Sequence, residues 1–270
     1  MARRRWRLTN ASVAGAKRRR DLPPMKLAKY LANLGYGSRR EIEWLMSRRR
    51  VTAADGRTLA TSSGALHRDI RVDGEPLDPP PGSVLMMHKP TGYVCSTKDD
   101  SPLVYALLPE RFPRRSPIMA PIGRLDINTS GLLLLTDDGQ LNHRITSPRA
   151  HLPKTYEVHL AEPVGGDEIA LFASGTMLLA SESEPLRPAV LEPVRERFAR
   201  VTLTEGRYHQ VRRMFAATGN HVTALHRSGI GNLTLGDLPP GAWRALDERE
   251  LQAVFTVPPC ATLSGLPAAP

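Results

Sequence analysis

The sequence predicts an α+β fold in which a small amino-terminal module precedes a larger domain built around a mostly antiparallel sheet. Short alternating or apolar runs bounded by turn residues outnumber the stretches with helical spacing. They follow one another in mixed order, without the regular alternation of strand and helix that indicates a parallel sheet. Three consecutive prolines, Pro79 to Pro81, form a stiff spacer before Gly82. We therefore place a domain boundary at this spacer.

The boundary divides the 270 residues into five predicted segments. They are a basic tail (1–24), the amino-terminal module (25–78), the spacer (79–83), the larger domain (84–256) and a tail rich in Pro and Ala (257–270). No apolar segment follows the first arginines of the basic tail, so we expect no secretory signal. The tail is either simply solvated or an arm that binds RNA phosphates.

Composition restricts the partners that the chain can have. The formal net charge is +10, which favours a polyanion, and nucleic acid before membrane. The two cysteines, Cys95 and Cys260, are too few for a disulfide framework or a zinc site. We therefore expect a reducing compartment, the cytoplasm. No apolar run is long enough to span a bilayer, so we expect no membrane partner.

The module is predicted to contain two helices and a small hairpin. The first helix, 25–36, carries three leucines on one face, and Ser38 with Glu41 forms a capping box that starts the second. Short strands are expected at 51–52 and 70–72. Five arginines flank the second helix and could neutralise RNA phosphates: Arg39, Arg40, Arg48, Arg49 and Arg50. The alternative is a basic face that only water covers.

In the larger domain, turn residues separate several predicted strands and helices. Strands are expected at 84–87, near Val94, and at 132–135, 154–160, 177–180, 189–192, 200–204 and 221–225, the last being the final core strand. Helices are expected near 105–108, 138–145, 166–174 and 209–217.

The stretch from Gly123 to Gly131 is the centre of the prediction. It places one carboxylate, Asp126, beside Arg124 in a polar loop, and the four leucines that follow indicate a buried strand. A scaffold commonly presents reactive groups on such a loop. From the residues alone, Asp126 could equally cap a turn or pair with Arg124.

Three motifs together resemble a known family. Gly-Arg-Leu-Asp followed by Thr-Ser-Gly-Leu-Leu-Leu-Leu-Thr-Asp-Asp-Gly resembles the active-site segment of RNA pseudouridine synthases of the RsuA branch. Lys-Thr-Tyr and Arg-Tyr-His-Gln-Val-Arg-Arg-Met resemble two later motifs of that family, and they occur in the same order. The similarity covers roughly residues 25–255, and its details are most like those of the enzymes that act on 16S rRNA.

The resemblance implies roles for individual residues. Asp126 would be the catalytic carboxylate, acting as nucleophile or as base toward the ribose. Arg212, with Arg213 as the alternative, would pair with Asp126 and keep it ionised. Tyr156 would stack on the extruded base. Without the resemblance, the arginines could simply bind phosphates and the tyrosine could belong to the core.

Further residues receive weaker assignments. Arg207 and His209 are candidate RNA contacts, Leu225 is a candidate pocket wall, and Arg124 could orient the loop or the sugar-phosphate backbone. Residues 25–78 resemble the alpha-L RNA-binding module, except that Thr52 to Ala54 departs from its usual Val-Asn-Gly, so the hairpin there could be reshaped.

The implied reaction moves the ribose from N1 to C5 of the base without gain of atoms or electrons, so we expect no cofactor and no metal. The predicted partner is 16S rRNA or the assembling small ribosomal subunit, and we expect a monomer. Two alternatives remain. One is the same chemistry on 23S rRNA, and the other is a non-catalytic factor that binds rRNA during ribosome assembly.

Overall fold

The structure, a computed structural model, describes residues 26–62 and 64–256. Both predicted tails lie outside these ranges, as does Met25, where the first predicted helix begins. Within the described residues, no helix is both long enough and apolar enough to cross a bilayer.

The amino-terminal module has two helices and a three-stranded antiparallel sheet. Its elements are α1 (Leu27–Asn33), α2 (Arg39–Ser47), β1 (Val51–Ala53), β2 (Ile70–Val72) and β3 (Glu75–Pro76), with strand order β1-β2-β3. The predicted capping box is confirmed, since the Ser38 amide donates to Glu41 Oε2 at 2.6 Å and the Glu41 amide donates to Ser38 Oγ at 3.3 Å. The predicted leucine face is buried in an apolar cluster that draws on residues 27–77.

The larger sheet has nine strands, and the prediction that it is mostly antiparallel is confirmed. Its order is β12-β4-β6-β10-β7-β9-β8, with β5 beside β6 and β11 beside β10. Only the pairing of β6 with β10 is parallel among the described strands. The strands are β4 (Val84–Lys89), β5 (Ala120–Ile122), β6 (Thr129–Thr136), β7 (Lys154–Leu160), β8 (Val190–Arg195), β9 (Phe198–Leu203), β10 (Val222–Ile230), β11 (Leu233–Thr234) and β12 (Trp243–Ala245).

Four helices cover this sheet: α3 (Gly139–Thr146), α4 (Gly166–Ser174), α5 (Gln210–Ala217) and α6 (Glu248–Ala253). Strand β6 shows why its leucines are continuous. Leu133 and Leu135 belong to one apolar cluster, whereas Leu132 and Leu134 belong to the cluster on the opposite face. A strand that is covered on both faces needs apolar residues at every position. The predicted buried strand is therefore confirmed, and it lies in the interior of the sheet.

Three strand predictions were wrong. Residues 177–180 form an irregular loop and no strand. Met177 and Leu179 are buried in alternation because they pack against the core, which imitates the pattern of a strand. Val94 makes only an isolated bridge with Leu103. Strand β10 runs to Ile230 and is followed by β11 and β12, so 221–225 is not the final core strand. The predicted strand was too short because its second half contains Arg227. A charged residue is usually taken as exposed, but here it lies in a buried strand.

The proline spacer is held at both ends. Before it, Asp78 accepts a two-bond ion pair from Arg111, with Nη2 to Oδ1 at 2.6 Å. Along it, Arg115 donates to the carbonyl oxygen of Pro79 at 3.0 Å and to Asp137 Oδ2 at 3.1 Å. Asp137 Oδ1 in turn accepts from the amide of Gly82 at 2.6 Å. These bonds attach the spacer to the larger domain.

A backbone contact brings the module itself against the larger domain. The amide of Ser116 donates to the carbonyl of Asn33 at 2.8 Å. Gly35 lies so close to Arg111 that a Cβ built on the glycine would be 2.1 Å from the arginine carbonyl oxygen. The glycine also has a φ of +87°, so a side chain is excluded here both by space and by backbone conformation.

The buried ion pair of Arg115 and Asp137 generates a stability prediction. Their side chains are 1% and 4% exposed, so Arg115→Met leaves a buried carboxylate without its cation. We expect the free energy of unfolding to fall by about 3–5 kcal/mol, measured by urea denaturation at neutral pH. The control is Arg197→Met, because Arg197 and Glu162 are 57% and 69% exposed at 3.7 Å, and it should cost less than about 1 kcal/mol. Equal, small losses for both variants would contradict the prediction.

Candidate active site

Asp126 lies on the loop 123–128, between β5 and β6, and the backbone of this loop is held from two sides. The amide of Thr129 donates to the carbonyl of Asp126 at 3.0 Å and closes a turn. The amide of Gly92 donates to the carbonyl of Ile127 at 2.8 Å. Gly123 has a φ of +67°, which favours glycine where the loop leaves β5. We call 123–128 the catalytic loop, after the role that the sequence analysis predicts for Asp126.

Lys89, the last residue of β4, fixes this loop through hydrogen bonds to its backbone carbonyls. Its side chain is fully buried, and Nζ donates to the carbonyl oxygens of Thr129 at 2.8 Å, Asp126 at 3.0 Å and Pro90 at 3.1 Å. The carbonyl of Ile127 lies at 3.5 Å. Burial lowers the pKa of Lys89, and the nearby Cys95 and Asp126 oppose that shift. The ammonium group thus has carbonyl oxygens, and no carboxylate, as its hydrogen-bond acceptors.

A close contact between β6 and β10 fixes the far end of the loop. Gly131 pairs with Arg227, and a Cβ on the glycine would lie 2.3 Å from the arginine carbonyl oxygen. The Arg227 side chain is buried and donates from Nε to the carbonyl of Leu132 at 2.8 Å. Gly131 therefore allows two parallel strands to approach closely beside Asp126.

The side chain of Asp126 faces a cleft with about 450 Å³ of empty space. Its walls come from the catalytic loop, β7, β9, β10 and the segment that begins α5. The lining residues are Arg124, Leu125, Asp126, Thr129, Tyr156, Leu203, Gly206, Arg207, His209, Gln210, Val211 and Leu225. The Asp126 side chain is 33% exposed, which leaves its oxygens accessible to a ligand in the cleft.

His209 lies closest to the carboxylate of Asp126 among the ionisable side chains of the described residues, with Nε2 at 3.5 Å from Oδ1. It precedes α5 with a φ of +48°, in the left-handed region. Its ring stacks on that of Tyr208, with centroids 3.9 Å apart and planes 17° from parallel. The residues before α5 therefore place the ring of His209 next to Asp126, and the ring of Tyr208 on the other side of His209.

The expected ion pair between Arg212 and Asp126 is not present among the described residues. Arg212 instead donates to the carbonyl of Val222 at 2.9 Å and to the carbonyl of Asn128 at 3.0 Å. Its guanidinium group joins the start of β10 to the catalytic loop, two residues beyond Asp126. Two different nitrogens of the planar fork, Nη1 and Nη2, reach carbonyls on two separate segments, a geometry that the single nitrogen of a lysine does not reproduce. The prediction paired Arg212 with the carboxylate of Asp126, whereas the structure places it against the backbone of the same loop.

Arg213, the alternative partner, also points elsewhere. It donates to Glu182 Oε1 at 2.7 Å and to the carbonyl of Tyr208 at 3.2 Å. Arg207 donates to Glu182 Oε2 at 3.2 Å and to Glu205 Oε2 at 3.3 Å. Hydrogen bonds from Arg213 and then Arg207 hold the pKa of Glu182 below its ordinary value. Both arginines therefore bind the 180–185 segment to the cleft rim, although Arg207 also lines the cleft.

Three other predicted residues do meet at the cleft. Tyr156 on β7 is 9% exposed and belongs both to the cleft wall and to the apolar core. Leu225 on β10 is buried and forms a wall between this cleft and a neighbouring polar one. Arg124 is exposed, and its side chain makes no ion pair or hydrogen bond with other described residues. The alternative in which Arg124 pairs with Asp126 is therefore not what the described residues show.

The five arginines of the module that were expected to bind RNA lie on α2 and directly after it, and they are not among the residues that line the cleft. All five are exposed, but Arg50 pairs with Asp73, with Nη2 to Oδ2 at 2.7 Å. Arg48 and Arg50 also lie over the exposed ring of Trp44, at 5.6 and 5.7 Å from its centroid. Their binding to RNA stays a prediction.

The sequence analysis gave no role to Lys89, Tyr208 or Gln210. Gln210 is buried, accepts from the Arg207 amide at 2.9 Å and donates to Glu205 Oε1 at 2.6 Å, which fixes the segment before α5. The position of Lys89 could have indicated its role. A lysine at the end of an apolar strand must be either solvated or provided with hydrogen-bond acceptors. Within the described ranges, no three His, Cys, Asp or Glu side chains are grouped to hold a metal ion.

Comparison with known proteins identifies the family. Residues 83–217 match the model of the RNA pseudouridylate synthase family. The chain is also 45% identical over 235 residues to ribosomal small subunit pseudouridine synthase A of Escherichia coli K12, covering 85% of this chain and 100% of that protein. The chain belongs to the RNA pseudouridylate synthase family.

Other members of the RNA pseudouridylate synthase family agree with this placement. The relative from Haemophilus influenzae, also named ribosomal small subunit pseudouridine synthase A, is 47% identical over 173 residues, which is 63% of this chain and 73% of that protein. A solved pseudouridylate synthase structure superposes with a TM-score of 0.61 at 39% identity and covers 85% of this chain and 99% of that one. The α+β architecture described above is therefore the architecture of this family.

The position of Lys89 generates a prediction for activity. In Lys89→Met, the carbonyls of the catalytic loop lose their common donor, and Asp126 is no longer held in place. Displacement of a reacting group by about 1 Å can lower the reaction rate about 100-fold. We therefore expect the single-turnover rate of pseudouridine formation to fall by about 10- to 100-fold, while the affinity for RNA is retained. Lys98→Met, at an exposed lysine, should retain the wild-type rate. An unchanged rate in Lys89→Met would contradict a positioning role.

The position of Arg212 generates a second prediction. It distinguishes a role in holding the loop backbone from a role in attracting RNA phosphates. Arg212→Lys retains the positive charge, but its one nitrogen cannot take the positions of both Nη1 and Nη2, which bond the carbonyls of Val222 and Asn128. We expect Arg212→Lys and Arg212→Ala to lose a similar factor in the single-turnover rate, about 10-fold or more. If Arg212 only attracted phosphates, the lysine variant would behave like wild type, and the salt dependence of RNA binding would change only in the alanine variant.

Proposed function

We propose that this chain isomerises one uridine of small-subunit (16S) rRNA to pseudouridine, with Asp126 as the catalytic carboxylate. The observation that carries the proposal is the cleft itself. Asp126 is the only carboxylate among the described residues that line it, and Lys89 bonds its backbone carbonyl while Arg212 bonds that of Asn128 in the same loop. The choice of 16S rRNA is supported by the names of the relatives, which are 45% and 47% identical small-subunit enzymes.

The chemistry balances within the substrate. The bond from C1′ of the ribose to N1 of uracil breaks, the base turns, and a bond from C1′ to C5 forms. The proton on C5 is lost and N1 finishes with a proton, so no atom or electron is gained overall. An ionised Asp126 would assist as a nucleophile at C1′ or as a base toward the sugar. Both roles require one of its oxygens to touch the ribose.

The remaining cleft residues would bind the extruded nucleotide. A uridine in folded RNA must leave its stack to reach Asp126, and Tyr156 offers an aromatic wall for its base. Leu225, on the neighbouring strand β10, would extend this wall and exclude water. The unpaired Arg124 at the cleft wall is placed to bind the phosphate of that nucleotide. His209, 3.5 Å from Asp126, would orient the carboxylate.

The natural partner in this proposal is rRNA, either free or in the assembling small subunit. The exposed arginines of the module and the net charge of +10 support a polyanionic partner. We propose that the enzyme acts as a monomer in the cytoplasm, without a membrane partner and without a cofactor.

The test is a map of pseudouridine in both rRNAs from a deletion strain that carries wild type or Asp126→Asn. We expect a single 16S position to lose the modification, wild type to restore it, and Asp126→Asn to reduce its rate by at least about 10⁴-fold. Asp237→Asn changes an exposed carboxylate outside the cleft and should restore it fully. Loss from 23S rRNA alone would refute the target, and equal restoration by Asp126→Asn would indicate a non-catalytic assembly factor.

A further inference from the structure

Tyr208 is an exposed aromatic ring at the rim of the cleft that the proposed chemistry does not use. It is 70% exposed, more than any other large apolar side chain in the described residues. One face of its ring lies against His209, with centroids 3.9 Å apart. Tyr208 does not itself line the cleft, because His209 stands between its ring and Asp126.

The ring is exposed, but the chain around it is fixed. The carbonyl of Tyr208 accepts from Arg213 at 3.2 Å, and Arg213 is anchored to Glu182 at 2.7 Å. On the other side of the ring, His209 has left-handed backbone geometry and begins α5. These contacts set the direction of the ring before any ligand arrives. Among the ring contacts of the described residues, Tyr208 stacks only on His209, so the other face of this large ring is left open to solvent.

We propose that the ring of Tyr208 is a stacking platform for the nucleobase next to the extruded uridine. The inference rests on the proposed function, because it assumes that the target ribose lies against Asp126. The ring that contacts Asp126 is His209, and Tyr208 is one stacking layer further out. The neighbouring nucleotide of the same strand is therefore the group that reaches it. Aromatic rings accept any base by stacking, so the platform positions RNA without reading its sequence.

The electrostatics of the rim favour a base over a phosphate as the group on this ring. Arg207 and Arg213, the cations beside Tyr208, are already paired with Glu182 and Glu205. Arg124, which is unpaired, lies at the cleft wall and not at the rim. The rim thus offers an uncharged aromatic surface, while the cleft offers the free cation. A nucleotide strand that places its phosphate at Arg124 and its next base on Tyr208 matches both.

The test measures binding by RNA oligonucleotides that span the uridine mapped in the deletion strain. Binding is measured in an Asp126→Asn background, so that the substrate is not consumed. Since stacking contributes about 1–3 kcal/mol per base, we expect Tyr208→Ala to weaken binding by about 5- to 150-fold. Tyr208→Phe keeps the ring and should bind within about twofold of the parent. Val194→Ala, which shortens an exposed apolar residue on the edge strand β8, should bind as the parent does.

A double-substitution cycle then identifies the base. Abasic sites replace each nucleotide flanking the uridine in turn. At the position that stacks on Tyr208, the abasic RNA should bind the parent and the Tyr208→Ala variant equally, because the contact is already lost. Unchanged affinity in Tyr208→Ala, or the same loss on every abasic RNA, would overturn the proposal. A loss seen only with assembling subunits, and not with RNA alone, would also overturn it and indicate a protein partner.

This result is separable from the proposed function. If Asp126 is not the catalytic residue, the Asp126→Asn strain still forms the pseudouridine, whatever the effect of Tyr208→Ala on binding. If only the platform is wrong, the map is as expected and Tyr208→Ala binds RNA normally. If Tyr208→Ala binds normally but turns over slowly, the ring acts only by holding His209, and the stacking proposal is rejected.

Discussion

One buried ammonium group decides where the carboxylate of Asp126 can lie. Lys89 draws carbonyl oxygens of Asp126 and Thr129 toward a single point at 3.0 and 2.8 Å. Because those carbonyls turn inward, the loop must curve around the ammonium, and the side chain of Asp126 is left on the cleft side. A charged donor strengthens each of these bonds relative to a neutral one, which compensates for taking the charge out of water. The position of the catalytic loop thus depends on a residue of a different strand.

The same arrangement explains why Arg212 does not pair with Asp126. A guanidinium bound directly to the carboxylate would occupy the oxygens that a ribose needs. By bonding the carbonyl of Asn128 at 3.0 Å instead, Arg212 steadies the loop, and among the described residues the carboxylate keeps only the ionisable neighbour His209, at 3.5 Å. Lys89 and Arg212 therefore brace the loop from two directions, while the Asp126 side chain stays one-third exposed. A carboxylate that must attack or deprotonate a sugar benefits from a rigid backbone and accessible oxygens.

Local patterns predicted the elements that depend on neighbouring residues. The capping box of Ser38 and Glu41, the buried run 132–135 and the helix 166–174 were all predicted, because their signals lie within a few residues of chain. The failures are contacts between distant segments. Met177 and Leu179 alternate in burial because they pack against the core, not because they pair in a sheet. The roles of Lys89 and Arg212 depend on carbonyls 40 and 84 residues away, which no local pattern encodes.

Two sets of arginines among the described residues differ in how their side chains are bonded, and the difference bears on the surface that a polyanion can use. One group is satisfied inside the protein and holds the spacer, the cleft rim or the sheet: Arg111, Arg115, Arg207, Arg212, Arg213 and Arg227. The side chains of a second group make no ion pair or hydrogen bond with the described residues: Arg39, Arg40, Arg49 and Arg124. Net charge alone does not distinguish the groups. Because the bonds of the first group attach the module to the larger domain, the free cations of the module keep a set distance from the cleft. One RNA that contacts both must therefore match that distance, which makes the module a constraint on the substrate and not merely a source of affinity.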